Sequence, residues 1–179
     1  VLLYLANQNY NINIHDVYFS QFTNCAININ NNLSTRYSIV VNNCVFYNQF
    51  AQGVYPAIYL HDSAEYTLIT GCNFSSIAGA LYLKEGSGGG IDAGAKNNIF
   101  ANNICMGCGN ATYPVVYSYA NNTRITGNTI NHSLGDAIVC KNGTGSGGFQ
   151  TVANNNILAM SVDGTAAIKL QGVRSSIVS

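Results

Sequence analysis

Acidic and basic side chains recur at matching places behind two short apolar segments of this chain. His61 and Asp62 follow the segment AIYL, and Lys84 and Glu85 follow the segment ALYL. Two carboxylates held close together suit general acid and base chemistry or metal binding, because their mutual repulsion raises the pKa of one of them. The adjacent histidine and lysine make a solvated charge cluster on the surface the preferred interpretation of these residues. Asp62 and Glu85 are the candidate catalytic pair in the alternative interpretation.

Tyrosines occupy the third position of the same segments, where a strand would turn its side chain outward. Tyr59 stands in AIYL, Tyr82 in ALYL, and Tyr4 in the matching LLYL. An aromatic face with a polar tip suits contact with a sugar ring, and His61 and Lys84 would flank such a ligand. Tyrosine is also favoured on exposed strands, so this row is either a carbohydrate-contact surface or an ordinary sheet face. The other outward positions of the row are Asn28, Val116, Val139 and Lys169.

A repeat explains why these segments match. Six copies of a first motif, two apolar residues five positions apart, begin at Ile14, Val41, Ile69, Phe100, Ile125 and Val152. The starts are separated by 27, 28, 31, 25 and 27 residues. A second motif, small-apolar-variable-apolar, begins at Ala26, Ala57, Ala80, Pro114, Ala137 and Ala167. Strand motifs at this period, without helical periodicity, predict an all-β solenoid in a single domain over residues 1–179.

The fourth position of the first motif carries Asn103, Asn128 and Asn155 in successive copies. Coils of a parallel solenoid stack about 4.8 Å apart, so equivalent side chains lie above one another. An inward amide can then donate to the amide of the next coil or to the backbone of a turn, which satisfies groups that are costly to bury. The sequence therefore predicts a ladder of these three amides in a turn between two strands.

Cysteines take that ladder position in two earlier copies, at Cys44 and Cys72. The expected Cα spacing of adjacent coils lies within the roughly 4.4–6.8 Å of disulfides, so a bridge between the two is predicted. Cys105 and Cys108 form a CxxC pair, a pattern typical of metal and redox sites, but no second CxxC or histidine cluster supports a metal. Buried structural thiols are the preferred interpretation, and neither a metal nor a cofactor is predicted.

The paired patterns I-x-x-N-x-I and A-I-x-L resemble the right-handed parallel β-helix group, the pectin-lyase-like superfamily, over essentially the whole chain. The resemblance implies a right-handed solenoid of about six to seven coils. In that family the sheet made by the second motif commonly bears the active site on its outer face. Both ends fall in mid-coil, so the domain is expected either to continue in a longer chain or to stack end to end with copies of itself.

Two segments are similar to parts of polygalacturonase-type hydrolases. They are GDAIVCK and AIKLQG, which resemble the aspartate and Ile-Lys segments of those enzymes. The first lacks a paired aspartate, no arginine precedes Ile168, and no Gly-His-Gly segment lies between the two. Asp136 is therefore the lone acid candidate in this region, and a lone acid cannot run a two-carboxylate hydrolysis.

Composition excludes further classes of function. Charged residues make up 8% of the 179 residues and the formal net charge is +0, which leaves no basic surface for nucleic acid. No apolar run is long enough to span a bilayer. Low charge, many tyrosines, Asn-x-Ser/Thr sequons and six cysteines favour an extracellular or cell-surface location. The sequons begin at Asn32, Asn73, Asn110, Asn121, Asn131 and Asn142.

The leading hypothesis is a non-catalytic extracellular β-helix module of the sheath, fibre or adhesin type, able to associate end to end. One alternative is a polysaccharide lyase, hydrolase or epimerase that acts along the tyrosine row. The other is a carbohydrate-binding module without turnover. The partners expected from these hypotheses are a polysaccharide or copies of the chain itself.

Overall fold

Three parallel β-sheets, each taking one strand from every coil, build the described part of the chain. The computed structural model describes residues 2–6, 11–30, 38–48, 55–61, 64–84, 96–120, 122–141, 149–160, 165–173 and 175–179. All named strands pair in parallel with the equivalent strands of neighbouring coils. The predicted all-β parallel solenoid is confirmed.

The strands are numbered along the chain and fall into sheets of seven, seven and six members. Sheet A contains β1 (Leu3–Ala6), β4 (Ile27–Asn30), β7 (Ile58–Leu60), β10 (Leu81–Leu83), β13 (Val116–Ser118), β16 (Ile138–Lys141) and β19 (Ile168–Gln171). Sheet B contains β2 (Ile12–His15), β5 (Ile39–Asn42), β8 (Thr67–Thr70), β11 (Ile99–Ala101), β14 (Thr123–Thr126), β17 (Phe149–Ala153) and β20 (Ser175–Val178). Sheet C contains β3 (Tyr18–Ser20), β6 (Val45–Tyr47), β9 (Asn73–Ser75), β12 (Ile104–Met106), β15 (Thr129–Ser133) and β18 (Asn156–Met160).

The first motif supplies the inward residues of sheets B and C, in the register that its alignment predicts. Ile14 pairs with Val41 in sheet B, and Phe19 pairs with Phe46 in sheet C. The rings of Phe19 and Phe46 stack at 4.9 Å, and those of Phe46 and Phe74 at 4.7 Å. Burying a side chain of this kind stabilises the fold by roughly 1.5–3 kcal/mol. The core is therefore a set of apolar columns that run along the solenoid axis.

The predicted register of sheet A was wrong at one strand. Val116 pairs with Leu81, and Tyr117 pairs with Tyr82. Tyr117 thus points outward, whereas Val116 is fully buried. Ser118 occupies the inward place where an apolar residue was expected, and this polar residue shifted the alignment by one position. Because successive side chains of a strand face opposite sides, a one-residue slip exchanges the two faces.

Left-handed residues shape every turn between sheets B and C. These residues have φ angles between 51° and 67° and immediately precede the ladder position. They are Asp16, Asn43, Gly71, Asn102, Gly127 and Asn154. Glycine, asparagine and aspartate adopt this conformation at the lowest cost. The turn therefore has a sequence signal of its own, one residue before the ladder.

Asn103, Asn128 and Asn155 are hydrogen-bonded in series at this turn. Asn103 Nδ2 donates to Asn128 Oδ1 over 3.1 Å, and Asn128 Nδ2 donates to Asn155 Oδ1 over 2.9 Å. Each acceptor also takes the backbone N–H of the preceding asparagine, over 3.0 Å in both cases. In addition, the Nδ2 of Asn128 donates to Phe100 O and that of Asn155 to Ile125 O. The ladder thus satisfies both the buried amides and the turn backbone.

Thiols continue this series in the two earlier coils. Cys72 Sγ donates to Val41 O over 3.7 Å and Cys44 Sγ donates to Ile14 O over 3.6 Å, the carbonyls equivalent to those that the amides bind. The predicted disulfide between Cys44 and Cys72 was wrong, since both are free thiols. Equivalent Cβ atoms of stacked coils are separated by about the 4.8 Å strand spacing. A disulfide requires roughly 3.5–4.5 Å between Cβ atoms.

Replacing Asn128 with alanine should destabilise the fold strongly. The substitution deprives the backbone N–H and Nδ2 of Asn103 of their shared acceptor, and a buried group left unpaired costs about 1–3 kcal/mol. We expect the free energy of unfolding, measured by urea denaturation, to fall by about 3 kcal/mol or more. The exposed Asn156 provides the control, because Asn156→Ala should change it by less than about 0.5 kcal/mol. Equal losses in the two variants would contradict the stabilising role of the ladder.

The six cysteines should be unreactive in the folded protein. All six are buried free thiols, and burial raises the pKa of Cys72, Cys108 and Cys140 to about 12. Thiolate is the reactive form of cysteine, and little of it is present at about pH 8 when the pKa is raised in this way. We expect a chromogenic disulfide reagent to label none of the six thiols in the native chain and all six after unfolding in urea without reductant. Two thiols missing after unfolding would show that a disulfide forms after all.

Candidate functional site

The outer face of sheet A carries a column of stacked aromatic rings. Strand pairing aligns Tyr59, Tyr82 and Tyr117 on successive coils, and we call these three residues the tyrosine column. The ring centroids lie 5.1 Å apart for Tyr59 and Tyr82 and 4.6 Å apart for Tyr82 and Tyr117, with planes inclined by 19° and 10°. Near-parallel rings at these separations are stacked, with the lateral offset that aromatic pairs prefer. Tyr82 is therefore stacked between two rings, whereas Tyr59 and Tyr117 form the ends of the column.

Further aromatic rings contact the tyrosine column from the side. Tyr113 meets Tyr82 edge-on, with centroids 5.6 Å apart and planes at 82°. Tyr55 lies 6.4 Å from Tyr113, and the His61 ring lies 4.6 Å from that of Tyr59. Partial burial, and secondarily the proximity of Tyr55, raise the pKa of Tyr113. Its hydroxyl therefore keeps its proton at neutral pH and can donate a hydrogen bond.

A groove of about 380 Å³ opens at the Tyr117 end of the column. Tyr117 and Val139 line it in the outward row of sheet A, and Lys141 and Gln171 line it two residues further along their strands. Lys141 Nζ lies 5.7 Å from the centroid of the Tyr119 ring, a cation–π arrangement. This groove thus combines an aromatic wall with hydrogen-bond donors and acceptors.

Asp136 and Lys169 supply the charged groups of this groove. Asp136 Oδ1 accepts the backbone N–H of Ala166 over 2.7 Å, and its Oδ2 lies 3.4 Å from Lys169 Nζ. The Asp136 side chain is 23% exposed and that of Lys169 is 46% exposed, so both reach solvent. The carboxylate is thus fixed by the following coil and paired with a cation, and the pair can exchange hydrogen bonds with hydroxyl groups of a ligand.

Gly135 sets the wall of the same groove. A Cβ at this position would overlap the carbonyl oxygen of Asn110, so the backbone of one coil lies against the backbone of the one before it. Asn110 is itself fixed, because its Oδ1 accepts the N–H groups of Thr112 and Tyr113, each over 2.8 Å. This close approach fixes the position of the backbone that leads into Asp136.

A second groove, of about 310 Å³, opens at the Tyr59 end of the column. Its lining includes Asn28, Tyr55, Tyr59, His61 and Tyr113. The buried Oδ1 of Asn28 has no hydrogen-bond partner in the described part of the chain. A buried acceptor without a partner is costly, and a ligand hydroxyl would satisfy it.

The structure brings together only some of the predicted site residues. Tyr59, Tyr82 and His61 belong to one cluster. Tyr4 is 54% exposed and stands apart, since Asn28 lies between it and Tyr59 in the strand register. Lys84 is exposed and follows β10, outside both grooves. Asp62 and Glu85 lie outside the described residues.

The sequence missed three aromatic members of the cluster. Tyr117 was missed through the one-residue slip in β13. Tyr55 and Tyr113 precede their strands, outside the four-residue motif, although both stand close before an aligned segment and next to proline. The signal that finds them is a tyrosine at the same distance before β7 and before β13, the two neighbours of β10, and it can be recognised only with the correct register.

The sequons fall on different parts of the coil. Asn73 is exposed and Asn131 is half-buried, and both lie on the outer face of sheet C. The Asn110 side chain is engaged in the turn described above. Asn32, Asn121 and Asn142 lie outside the described residues.

Compared with models of protein families, with curated proteins and with solved structures, the sequence gives no significant match. In the described ranges, no three His, Cys, Asp or Glu side chains form a group suited to a metal ion. The same ranges contain no helix with the length and hydropathy needed to cross a membrane. The fold alone therefore assigns the chain to the class of parallel β-solenoids. Its distinguishing surface feature is the aromatic column on one sheet.

Two substitutions at Asp136 should separate its hydrogen bond from its charge. Asp136→Asn keeps an oxygen that can accept from Ala166 N, and an exposed ion pair contributes little. We expect it to change the free energy of unfolding by less than about 0.5 kcal/mol. Asp136→Ala removes the acceptor and should cost about 1.5 kcal/mol. Urea denaturation measures both values. An equal loss in both variants would show that the ion pair with Lys169, and not the bond to the backbone, is the stabilising contact.

Proposed function

We propose that this chain is a non-catalytic carbohydrate-binding β-solenoid module, displayed outside the cell, whose glycan lies along the outer face of sheet A. The observation that carries the proposal is the tyrosine column with a polar groove at each end. Rigid presentation of aromatic rings beside fixed hydrogen-bonding groups is the usual chemistry of a pocket that orients a polar ligand.

The two ends of the column, each of which lines a groove, suit a linear sugar chain. One sugar would contact Tyr117 within its groove while its hydroxyls bond Asp136 and Lys169. A second sugar would contact Tyr59 within the other groove and donate a hydroxyl to Asn28 Oδ1. The two terminal rings are two coil steps apart, about 10 Å. A chain that reaches both grooves therefore runs parallel to the solenoid axis and crosses the edge of Tyr82.

The non-catalytic part of the proposal rests on Asp136. Its carboxylate already binds a backbone N–H and faces Lys169, and a single acid does not suffice for hydrolysis by a carboxylate pair. A polysaccharide lyase, hydrolase or epimerase would rely on Asp62 and Glu85, which follow the segments AIYL and ALYL in the sequence. Turnover of a bound polymer is therefore the measurement that separates the two functions.

The pectin-lyase-like superfamily and its right-handed coil are part of this proposal. Sheet A would correspond to the sheet that commonly bears the active site there. Low charge and the sequons support an extracellular or cell-surface location, and Asn73 is exposed as a glycan acceptor must be. The cysteines lend this location no support, because all six are free thiols. End-to-end association with further copies stays a prediction.

Binding of soluble polysaccharides, measured by calorimetry across a panel of neutral and acidic polymers, tests this function. Tyr117→Ala and Tyr59→Ala each remove a terminal ring and should lower affinity about tenfold. Tyr18→Ala is the matched control, because Tyr18 is 61% exposed on sheet C, away from the column. Absence of binding to every polymer would refute carbohydrate binding, and wild-type affinity in both column variants would refute binding at the tyrosine column. New reducing ends or unsaturated sugars in the bound polymer would refute the non-catalytic assignment alone.

A further inference from the structure

The tyrosine column holds phenol rings close enough for oxidative coupling. The rings of Tyr82 and Tyr117 have centroids 4.6 Å apart and planes inclined by 10°, whereas those of Tyr59 and Tyr82 are 5.1 Å apart and inclined by 19°. Strand pairing places the members of each pair opposite one another, so the backbones of adjacent coils hold the rings in contact. Tyr82 and Tyr117 are the closest pair of tyrosine rings in the described ranges.

The composition of the chain makes tyrosine the side chain that a one-electron oxidant would attack. The chain has 12 tyrosines and no tryptophan, which is the other aromatic residue that loses an electron readily. All six cysteines are buried. Because the oxidation of cysteine follows its exposure and thiolate character, these thiols compete poorly for an oxidant at the surface.

A series of contacting rings connects the column to solvent. Tyr55 is 40% exposed, and its ring lies 6.4 Å from that of Tyr113. The ring of Tyr113 in turn meets that of Tyr82 edge-on at 5.6 Å. Electrons exchange readily between aromatic rings in contact. A radical formed on the exposed ring of Tyr55 can therefore be passed to the column.

The aromatic neighbour of the column on its other side is a poorer place for a radical. Tyr119 lies 6.5 Å from Tyr117, but Lys141 Nζ is 5.7 Å from the centroid of the Tyr119 ring. A nearby cation disfavours the loss of an electron from a ring, since the positive charge that develops is repelled. Radicals that reach this side are thus expected to settle on Tyr117.

We propose that the outer face of sheet A is a site of oxidative modification, where a haem peroxidase and hydrogen peroxide join Tyr82 to Tyr117 through a carbon–carbon bond. Each phenol first loses one electron and one proton and becomes a neutral phenoxyl radical. The two radicals couple through the ring carbons ortho to their oxygens. Each coupled carbon then gives up its proton while its oxygen regains one, which restores both phenols. Hydrogen peroxide takes up the two electrons and two protons and becomes water.

This dityrosine bond would join the coil of β10 covalently to the coil of β13. A covalent link between distant parts of the chain restricts the unfolded state, as a disulfide does. The linked protein should therefore unfold at a higher urea concentration than the unmodified one. The reaction needs the stacked rings and no sugar, so its outcome is independent of carbohydrate binding at the same column.

Treatment of the full chain with a haem peroxidase and hydrogen peroxide tests this modification. Monomer isolated by size exclusion should show dityrosine fluorescence and a mass lower by two hydrogen atoms. Mass spectrometry of its peptides should find Tyr82 joined to Tyr117 as the main product. Tyr82→Phe should abolish the fluorescence of the monomer, and Tyr117→Phe should leave only a minor product that joins Tyr59 to Tyr82. Phenylalanine keeps the ring in each variant but lacks the hydroxyl.

Two matched substitutions serve as controls. Tyr18→Phe removes a phenol that is 61% exposed on sheet C, and Tyr119→Phe removes the phenol beside Lys141. Both should leave the yield of dityrosine in the monomer unchanged. Circular dichroism verifies the fold of each variant, and the peptide map of the wild type decides the outcome even where a variant does not fold.

A Tyr82–Tyr117 bond is ruled out if the oxidised monomer contains no dityrosine, or if links form only between molecules. It is equally ruled out if the main link in the monomer joins any other pair of tyrosines. Wild-type yield in Tyr82→Phe or in Tyr117→Phe would show that the stacked pair is not the site of coupling.

Discussion

The in-register stacking of parallel coils is the constraint on which the rest of this structure depends. Each coil repeats the path of the one before it, so each side chain meets its counterpart about 4.8 Å away. This proximity is favourable for rings such as Phe46 and Phe74 and for amides that both donate and accept. At the turn between sheets B and C, Asn128 satisfies the backbone of Asn103 and is satisfied in turn by Asn155. The thiols of the earlier coils donate to the equivalent carbonyls, and because sulfur is a weak hydrogen-bonding partner this is a weaker form of the same arrangement.

The same stacking rule governs the outer surface and decides where a ligand can bind. Within the tyrosine column the rings stack on one another, and the middle ring lies between two neighbours. The proposed function places ligand contact at the interruptions of the repeat, where Asn28 precedes the column and Val139 follows it. On sheet B a further groove is likewise bounded by aromatic rings, and its lining includes Tyr66, Asn97, Asn122, Arg124 and Phe149. The proposed ligand contacts of sheet A thus lie where neighbouring coils differ, whereas the stabilising contacts lie where the coils agree.

The sequence predicted the parts of the fold that depend on a strict repeat. Ile14 to Val152 and Phe19 to Ile157 were aligned correctly because inward apolar residues recur at fixed places. The alignment slipped where Ser118, a buried hydroxyl, replaced the apolar residue. The Cys44–Cys72 bridge failed because a suitable Cα spacing does not ensure suitable Cβ positions. The grooves could not be predicted, because their linings combine side chains from several coils and from segments outside the motifs, as Tyr113 and Arg124 illustrate.

A measurement of the register of sheet A at β13 tests this structure most directly, because the tyrosine column exists only in that register. Nuclear Overhauser contacts among tyrosine rings, measured on protein with selectively labelled tyrosines, report it without any ligand. In this register, contacts are expected from the ring of Tyr82 to the rings of both Tyr59 and Tyr117, with upfield ring-current shifts for Tyr82. Contacts from Tyr82 to the Val116 methyl groups, with none to the Tyr117 ring, would contradict it and remove the basis of the binding face.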